Sequence, residues 1–389
     1  MKITVLGAGA IGSAVAYDLA RCEEVARVQV CESQPVTLRA FRAAHAHPKI
    51  RTYEADARDT QTLEPILGGS ACVVSCIGPE LNGRLARLAL DLGAHFVDLG
   101  SPAPVRAQEE TLAEQAERRQ RWVITGCGLS PGLVGVLTMR GVNHLAEARA
   151  VRIRVGDVPI EPTGPFHHRL AHSAERLIDD YTEPAAVLRG GKVEARQPLT
   201  GLESLEVEGF GTMEAFYAGH ETGPLVEALA GRVDRLDAKT LRYPGHAERM
   251  QFVIDLGLAE KTSLDVRTHL TYRDVLVRRL KQRLGGAYQD AVIVRVEIEG
   301  RRESEGDEGT LIYEVIDRLD PESGLTAMQR CTGFPAAVAA VLLAQRAVPG
   351  GGVGPADQML PHESFVERLE ARGIHVRERW VPSSVSEAA

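Results

Sequence analysis

The stretch Lys-Ile-Thr-Val-Leu-Gly-Ala-Gly-Ala-Ile-Gly, residues 2–12, decides the fold of this chain. A short apolar strand enters a Gly-x-Gly-x-x-Gly turn, and a helical pattern follows it. Gly7 permits the tight turn, Gly9 lets a pyrophosphate approach the backbone, and Gly12 lets the helix pack on the strand. The motif predicts a dinucleotide site at the helix N-terminus, although a glycine-rich turn in another α/β protein carries the same pattern.

The second predicted strand indicates which dinucleotide is bound. Residues 28–31 are predicted to form a strand that ends at Glu32, about 20 residues beyond the last glycine, where a ribose 2′-hydroxyl is held. A carboxylate there repels a 2′-phosphate, which favours NAD over NADP. Arg39 and Arg42 are close enough in sequence to leave NADP open.

Composition sets broad limits on the protein class. The 389 residues are 44% hydrophobic and 25% charged, as in ordinary globular proteins, and the length suggests more than one domain. A net charge of −8 argues against nucleic acid or an anionic membrane as a partner. No apolar run of membrane-spanning length and no signal peptide are expected. The six cysteines lack metal-ligand spacing, which favours reduced thiols in the cytoplasm.

The first part of the chain alternates strands and helices. Strands are predicted at residues 2–6, 28–32, 50–53, 72–77, 95–99 and 122–125, with helices at 35–46, 81–92 and 104–120. Strands joined by helical crossovers form a doubly wound parallel sheet. Residues 1–125 are therefore predicted to be a Rossmann-type dinucleotide-binding domain.

The pattern changes after residue 125. Polar and apolar residues alternate at 152–155, 204–207, 253–258, 292–298 and 311–316, between helices near 173–189 and 272–283. Such alternation favours an antiparallel sheet with one covered face, so 126–330 is predicted to be an α+β substrate and oligomerisation domain. Residues 331–389 are predicted to return to the first domain through a buried apolar helix at 336–347. A Gly/Pro loop at 349–355 and a frayed tail at 381–389 complete the prediction.

Ligands of open α/β sheets bind at the carboxyl ends of the strands. In the first domain this rule selects the loop at 75–79, Asp56 after the third strand, and Asp98 after the fifth. It also selects the glycine-rich loop at 126–132, where Gly132 is a candidate substrate contact; the loop can also be a domain hinge, and both can be true. The residues predicted to bind the cofactor are Gly7, Gly9, Ala10, Ile11, Gly12, Glu32, Asp56, Cys76, Ile77 and Gly78.

A polar cluster at 240–248 stands out in the second domain. Arg242 can hold a carboxylate through two hydrogen bonds, and His246 can move a proton near neutral pH. Tyr243 lies between them, and His220 belongs to a flexible polar loop that could reach a cleft. An ordinary surface loop would look the same. Three further histidines suggest a metal site, namely His167, His168 and His172. No cysteine or third well-placed ligand accompanies them, so no metal is predicted.

Several longer stretches carry a family resemblance. They are VLGAG at the start, VDLG at 97–100, GLSPG at 128–132, DVPIEP at 157–162, DDYTEPAAVLRGG at 179–191, GTMEAF at 211–216 and TLRYPGHAE at 240–248. On these stretches the chain resembles the saccharopine dehydrogenase superfamily over almost its whole length, and its lysine 6-dehydrogenase branch most of all. The chain departs from that branch at 218–223, where AGHETG replaces an expected loop of small residues.

The resemblance implies an NAD-dependent, cytoplasmic homo-oligomer that acts on a small amino acid. Lysine 6-dehydrogenases oxidise the ε-amine of L-lysine to 2-aminoadipate 6-semialdehyde, release ammonia, and yield a product that closes to a cyclic imine. In that mechanism Asp98 or His246 would accept the amine proton, Arg242 would bind the α-carboxylate, and Tyr243 would orient the amine or water.

Two other functions stay open at this point. A saccharopine-type reductase joins lysine to a 2-oxo acid and needs a second carboxylate clamp, for which Arg169, Arg176 and Arg189 are candidates. A non-catalytic NAD-binding protein could keep the same fold, because a fold does not dictate function.

Overall fold

The computed structural model describes residues 1–170, 173–219, 223–265, 269–286, 288–302 and 307–383. Its contacts divide the chain into two compact units. Unit 1 comprises Met1–Arg140 and Gln329–His375, and unit 2 comprises Gly141–Met328 and the chain from Val376. The divisions fall at 140/141 and 328/329, where the predicted domain boundaries are 125 and 330, and the end of the chain is shared between the units.

Unit 1 is a parallel sheet with helical crossovers, as predicted. Its strands are β1 (Lys2–Leu6), β2 (Arg27–Glu32), β3 (Ile50–Glu54), β4 (Cys72–Ser75), β5 (His95–Asp98), β6 (Trp122–Thr125) and β15 (Gly352–Pro355). Its helices are α1 (Ala10–Arg21), α2 (Pro35–Ala44), α3 (Thr60–Leu67), α4 (Asn82–Asp91), α5 (Ala103–Glu110), α6 (Ala113–Arg119), α13 (Ala356–Met359) and α14 (His362–Glu370). The strand order is β15-β6-β5-β4-β1-β2-β3, and every pairing is parallel.

The apolar strands explain why this sheet lies inside the unit. All four residues of β4 and all four of β5 are buried, which parallel sheets covered by helices on both faces require. Val73, Leu85 and Phe96 belong to one apolar cluster between sheet and helices. The sheet thus presents the carboxyl ends of its strands along one edge, where the predicted loops meet.

The seventh strand corrects the prediction of a Gly/Pro loop at 349–355. Gly352–Pro355 pairs in parallel with β6, and Val353 packs against the apolar cluster. Sequence patterns miss a strand this short, because glycine and proline are depleted in strands and the segment lies at the sheet edge.

Unit 2 is built on a nine-stranded mixed sheet that is mostly antiparallel. Its strands are β7 (Glu147–Pro159), β8 (Ala185–Arg189), β9 (Lys192–Arg196), β10 (Glu203–Val207), β11 (Gly211–Tyr217), β12 (Arg235–Arg242), β13 (Asp290–Arg301), β14 (Glu308–Arg318) and β16 (Arg377–Pro382). Its helices are α8 (Ala174–Asp180), α9 (Gly223–Leu229), α10 (His246–Asp255) and α11 (Tyr272–Leu284). The main order is β10-β11-β12-β7-β13-β14-β16, and β12 pairs with β7 in parallel.

Three details predicted for the chain after residue 125 were wrong. Residues 253–258 were predicted as a strand, but the segment begins inside α10, whose N-terminal N–H groups are capped by the Glu214 carboxylate. The helix predicted near 173–189 ends at Asp180, and β8 follows it. The tail predicted to fray from 381 is still paired with β14 at Val381 and Pro382; residues 384–389 lie outside the described part.

Two helices, α7 (Val134–His144) and α12 (Ala327–Ala344), contain the divisions between the units. Contrary to the expectation of no membrane-length apolar run, α12 is long and apolar enough to span a membrane by length and composition. However, 83% of that stretch is buried within the protein, as in a core helix.

Candidate functional site

The glycine turn of unit 1 fits a dinucleotide phosphate. Gly7 has a φ of 96°, and a Cβ there would lie 2.9 Å from the Cys76 carbonyl oxygen. A Cβ on Gly12 would collide with the Gly7 carbonyl oxygen, so α1 can pack on β1 only with glycine here. No described atom lies within 4 Å of a Cβ built on Gly9, which leaves open space in front of the α1 N-terminus. This cradle, at which Ala10 begins α1, matches a pyrophosphate.

Beside the turn lies a cavity of about 370 Å³. It brings together five of the predicted cofactor residues, namely Gly7, Glu32, Asp56, Ile77 and Gly78. Glu32 accepts hydrogen bonds from the Ala8 N–H and the Gln34 N–H, both at 2.9 Å. A carboxylate has about four acceptor positions, so Glu32 keeps capacity for ribose hydroxyls.

The charge of the cavity lining is mainly negative. Glu80, which the sequence analysis missed, joins Glu32 and Asp56 there, and Arg58 is the one cationic lining residue among those described. Arg58 Nε lies 3.2 Å from Asp56 Oδ1. Three carboxylates against one already paired guanidinium disfavour an added phosphate.

Asp98 lies inside a buried polar network at the ends of β4 and β5. Its Oδ1 accepts the N–H of Gly100 at 2.7 Å and of Gly126 at 2.9 Å, and the Ser101 hydroxyl lies 3.3 Å from Oδ2. The equally buried Glu109 faces Asp98. Burial, and then the Asp98 charge, raise the pKa of Glu109 to about 10. Asp98 thus ties two loops together, and the predicted role as acceptor of a substrate proton stays a prediction.

Gly132 lies in a short helical turn, Leu129–Leu133. The residue is buried, and a Cβ there would lie 2.9 Å from both the Gly126 carbonyl oxygen and the Cys127 carbonyl carbon. Glycine is therefore needed to close the loop at 126–132, and the predicted substrate contact at Gly132 stays a prediction.

A second polar centre lies within unit 2, where β7 and β12 run side by side. Thr240 pairs with Val155 in parallel, so Arg242 and Asp157, two residues further along each strand, project on the same face. Arg242 Nη1 lies 3.0 Å from Asp157 Oδ1, and both residues are more than nine-tenths buried. The predicted carboxylate clamp is thus already one member of a buried ion pair.

Tyr181 connects this ion pair to His246. Arg242 Nε donates to the Tyr181 hydroxyl oxygen at 3.2 Å, and that hydroxyl lies 2.9 Å from His246 Nε2. His246 Nδ1 lies 2.8 Å from the Phe166 carbonyl oxygen. A carbonyl only accepts, so Nδ1 carries the hydrogen and Nε2 accepts from Tyr181. Hydrogen bonds therefore run from Arg242 through Tyr181 to His246.

The surroundings keep His246 neutral. Its side chain is fully buried, and its ring stacks with Phe216 and packs edge-on against His168. Burial, and then the Arg242 charge, lower the pKa of His246 to about 3. Burial raises the pKa of Tyr181 to about 12. Both ring nitrogens have partners, so the geometry supports a positioning role, and proton transfer by His246 stays a prediction.

Glu214 fixes the start of α10, where His246 lies. Its Oε2 accepts the N–H of Gly245 at 2.8 Å and its Oε1 accepts the N–H of Ala247 at 2.7 Å. Gly245 precedes the helix with a φ of 84°, a conformation that glycine adopts at little cost. Glu214 lies opposite Arg242 in the pairing of β11 with β12, so one strand register places both.

The remaining predicted residues of this unit lie elsewhere. The Tyr243 hydroxyl donates to the Pro159 carbonyl at 2.9 Å, and its role with the substrate amine or water stays a prediction. His220 and His172 fall outside the described residues. His167 Nδ1 lies 3.4 Å from Arg249 Nη1. Among the described residues, no group of three or more His, Cys, Asp or Glu side chains could hold a metal ion.

The sequence analysis missed Asp157, Tyr181 and Glu214. Each lies in a stretch that carried the family resemblance: DVPIEP, DDYTEPAAVLRGG and GTMEAF. These residues are far apart in the sequence, so the sequence does not show that they form a cluster. Asp157 lies on β7 and Glu214 on β11, which are both neighbours of β12, and Tyr181 directly follows α8. For Asp157, the signal in the sequence was a carboxylate close to the end of a long strand.

The family model of the saccharopine dehydrogenase NADP binding domain matches residues 3–124, and that of the saccharopine dehydrogenase C-terminal domain matches residues 128–374. Carboxyaminopropylagmatine dehydrogenase from Synechocystis sp. is 20% identical over 391 residues, which cover 96% of each chain.

Two solved structures are similar to this fold. Apo saccharopine dehydrogenase (L-Glu forming) from Saccharomyces cerevisiae has a TM-score of 0.81 at 16% identity, covering 98% of this chain and 99% of that one. Homospermidine synthase from Legionella pneumophila, in complex with NAD, has a TM-score of 0.69 at 11% identity, covering 98% of this chain and 91% of that one. At these identities the structures establish the fold.

Proposed function

Because this chain belongs to the saccharopine dehydrogenase family of nicotinamide-dependent oxidoreductases, we propose that it oxidises the ε-amine of L-lysine with NAD. The products are 2-aminoadipate 6-semialdehyde, which closes to the cyclic imine, and ammonia. The observation that supports lysine is the buried Arg242, which is held by Asp157 and Tyr181 and suits a single α-carboxylate. We further propose that the enzyme is cytoplasmic and homo-oligomeric.

The cavity of unit 1 supports NAD rather than NADP. The matching family model is described as NADP binding, whereas the cavity here carries Glu32, Asp56 and Glu80. Carboxylates can accept hydrogen bonds from ribose hydroxyls and repel a 2′-phosphate. When bound, the nicotinamide accepts a hydride from the carbon that bears the amine. The glycine turn would hold the pyrophosphate through Gly9, Ala10, Ile11 and Gly12.

Arg242 would bind the substrate through its free Nη2 edge. Its Nε and Nη1 are used by Tyr181, Asp157 and backbone carbonyls, and its Nη2 makes no hydrogen bond to any described residue. A two-bond clamp through Nε is therefore blocked, and a single charge-assisted hydrogen bond replaces it. The hydrogen bonds through Tyr181 to His246 would keep the guanidinium in one orientation.

The amine must lose its proton before hydride can leave the neighbouring carbon. The reference pKa of a lysine ammonium is about 10.4, so little neutral amine exists at pH 7. His246 has both nitrogens occupied and a pKa lowered to about 3 by burial, and Asp98 is buried among backbone donors. We therefore propose that the neutral amine is taken from solution. The oxidised lysine then adds water and expels ammonia.

A saccharopine-type reaction is the second candidate, and Arg169 favours it. Arg176 lies 3.0 Å from Asp180, and Arg189 lies 2.5 Å from Asp237, so both are paired. Arg169 is half-buried and makes no ion pair or hydrogen bond with the described residues. It lies near enough to Tyr288 that its positive charge acts to lower the pKa of that phenol, which the Asp157 charge acts to raise. It could hold a second carboxylate, as a 2-oxo acid partner requires.

One pair of assays distinguishes the candidates. The protein is mixed with lysine and either NAD or NADP, and formation of the reduced cofactor is measured by its absorbance. With NAD we expect NADH and an equal amount of ammonia. Consumption of NADH only when lysine and 2-oxoglutarate are both present would indicate the reductase. Tight NAD binding without turnover of any ω-amino or α-amino acid would support a non-catalytic protein.

A further inference from the structure

Asp157 has a carboxylate oxygen that the protein leaves unused. Its Oδ1 lies 3.0 Å from Arg242 Nη1, whereas its buried Oδ2 has no hydrogen-bond partner in the described part of the chain. The residue as a whole is 8% exposed. Buried carboxylate oxygens are normally satisfied, because an unmet one keeps its full desolvation cost. The oxygen therefore calls for a donor from outside the chain.

The unused donor of the same ion pair lies on Arg242. Its Nη2 makes no hydrogen bond to any described residue, and the ion pair of Arg242 with Asp157 is electrically neutral. Asp157 Oδ2 is thus a free anionic acceptor, and Arg242 Nη2 is a free cationic donor. Together they complement a ligand group that carries one ammonium and one carboxylate. The α-carbon of an amino acid carries that combination.

We propose that Asp157 binds the α-ammonium of the substrate through Oδ2 while Arg242 binds the α-carboxylate, so that the protein selects α-amino acids. This inference rests on the proposed function and adds to it a specificity-determining residue and a substrate class. A diamine lacks the carboxylate and would place a cation against the guanidinium. An ω-amino acid without an α-amine would leave Oδ2 unsatisfied.

The other groups around Asp157 fit this assignment. Tyr288 lies close enough to Asp157 that burial, and then the Asp157 charge, raise the pKa of its phenol. His246 is neutral and hydrogen-bonded to Tyr181, so it does not compete as a cation. Arg242 is the cation paired with Asp157 among the described residues, and it occupies Oδ1. An ammonium at Oδ2 would complete the carboxylate's coordination.

A comparison of three amines tests the proposal. L-Lysine carries both the α-ammonium and the α-carboxylate. 6-Aminohexanoate lacks the α-amine, and cadaverine lacks the negatively charged α-carboxylate. We expect kcat/KM for lysine to exceed that for each analogue by about tenfold or more, the effect of one charge-assisted hydrogen bond. Equal kcat/KM for lysine and 6-aminohexanoate would overturn the assignment of Asp157.

The variant Asp157→Asn sharpens the test. It keeps an oxygen for Arg242 but removes the negative charge, so KM for lysine should rise about tenfold or more while KM for 6-aminohexanoate changes little. Asp237→Asn is the matched control, because Asp237 forms a similar cluster with Arg189 and Tyr217 on β12. An equal rise of KM for both substrates in Asp157→Asn would mean that Asp157 only holds Arg242.

Calorimetric binding to the NADH-bound protein separates this inference from the proposed function. If no amine is oxidised but lysine binds more tightly than 6-aminohexanoate, and Asp157→Asn abolishes the difference, the proposed head-group site formed by Asp157 and Arg242 stands and lysine oxidation fails. If all three amines are oxidised equally well, the dehydrogenase stands and the head-group site fails. If neither turnover nor preferential binding of α-amino acids is found, both fail.

Discussion

The hydroxyl of Tyr181 is the best place to perturb the buried centre of unit 2. The change Tyr181→Phe removes one oxygen that accepts from Arg242 Nε at 3.2 Å and lies 2.9 Å from His246 Nε2. The ring keeps its packing against Phe216, at 5.7 Å between centroids. The expected loss is therefore confined to two hydrogen bonds, one of them to a charged group.

The magnitude follows from what is left behind. The residue is 1% exposed, so water cannot readily replace the lost partner of the guanidinium or of the imidazole. Each buried group left unsatisfied costs about 1–3 kcal/mol, so we expect the free energy of unfolding to fall by about 2–4 kcal/mol. In a unit of this size that lowers Tm by roughly 5–15 °C. KM for lysine should also rise, because Arg242 loses one of the bonds that orient it.

Thermal unfolding and steady-state kinetics on the same preparations measure both effects. Tyr217→Phe is the control, since its hydroxyl lies 2.5 Å from Asp237 and 3.0 Å from Arg189 in the same unit. The control should lose stability without a change in KM for lysine. A Tyr181→Phe protein with unchanged Tm and unchanged KM would refute the hydrogen-bonded chain from Arg242 to His246.

Three further predictions concern single residues. Arg242→Lys should raise KM for lysine at least about tenfold and leave KM for NAD unchanged. The single nitrogen of a Lys ammonium cannot reach partners that the planar guanidinium contacts through Nε, Nη1 and Nη2. Equal changes in both KM values would remove Arg242 from the substrate site. Glu32→Gln should raise the NADP/NAD ratio of kcat/KM by about tenfold, since it removes a negative charge from the cavity, and an unchanged ratio would exclude Glu32 as the ribose ligand. Glu109→Gln should flatten the dependence of stability on pH. The folded pKa of Glu109, about 10, lies above its ordinary 4.5, so the folded protein holds the extra proton between those values. Its stability therefore falls as pH rises through them, by up to about 1.4 kcal/mol per pH unit. Denaturant titrations at pH 6 and pH 9 measure this slope, and equal slopes in both proteins would show that Glu109 is not the protonated partner of Asp98.

Much of unit 1 could be predicted from sequence because its signals are local. The Gly7, Gly9 and Gly12 pattern fixes a turn whose geometry allows few alternatives, and a carboxylate about 20 residues later follows from the same motif. Six of its seven strands were predicted. Gly352–Pro355 did not, because its strand pairing comes from β6 and not from its own residues.

The centre of unit 2 could be predicted only in part. Arg242 and His246 are close in sequence and were found as a cluster, but they meet through Tyr181, which lies 61 residues from Arg242. Asp157 is 85 residues from Arg242, and the pairing of β7 with β12 alone brings them together. Periodicity shows that a strand exists and not which strand lies beside it, so partners across a sheet stay hidden.

The pH dependence of lysine oxidation by NAD tests the central claim most directly. Initial rates of NADH formation between pH 7 and pH 10, with ammonia measured in parallel, give kcat/KM at each pH. If the neutral ε-amine is taken from solution, kcat/KM should rise about tenfold per pH unit from pH 7 and level off where the α-ammonium bound by Asp157 loses its own proton, below the ε-amine pKa of about 10.4. Absence of NADH formation with lysine across the range would contradict the proposed function, and a flat profile would contradict uptake of the neutral amine.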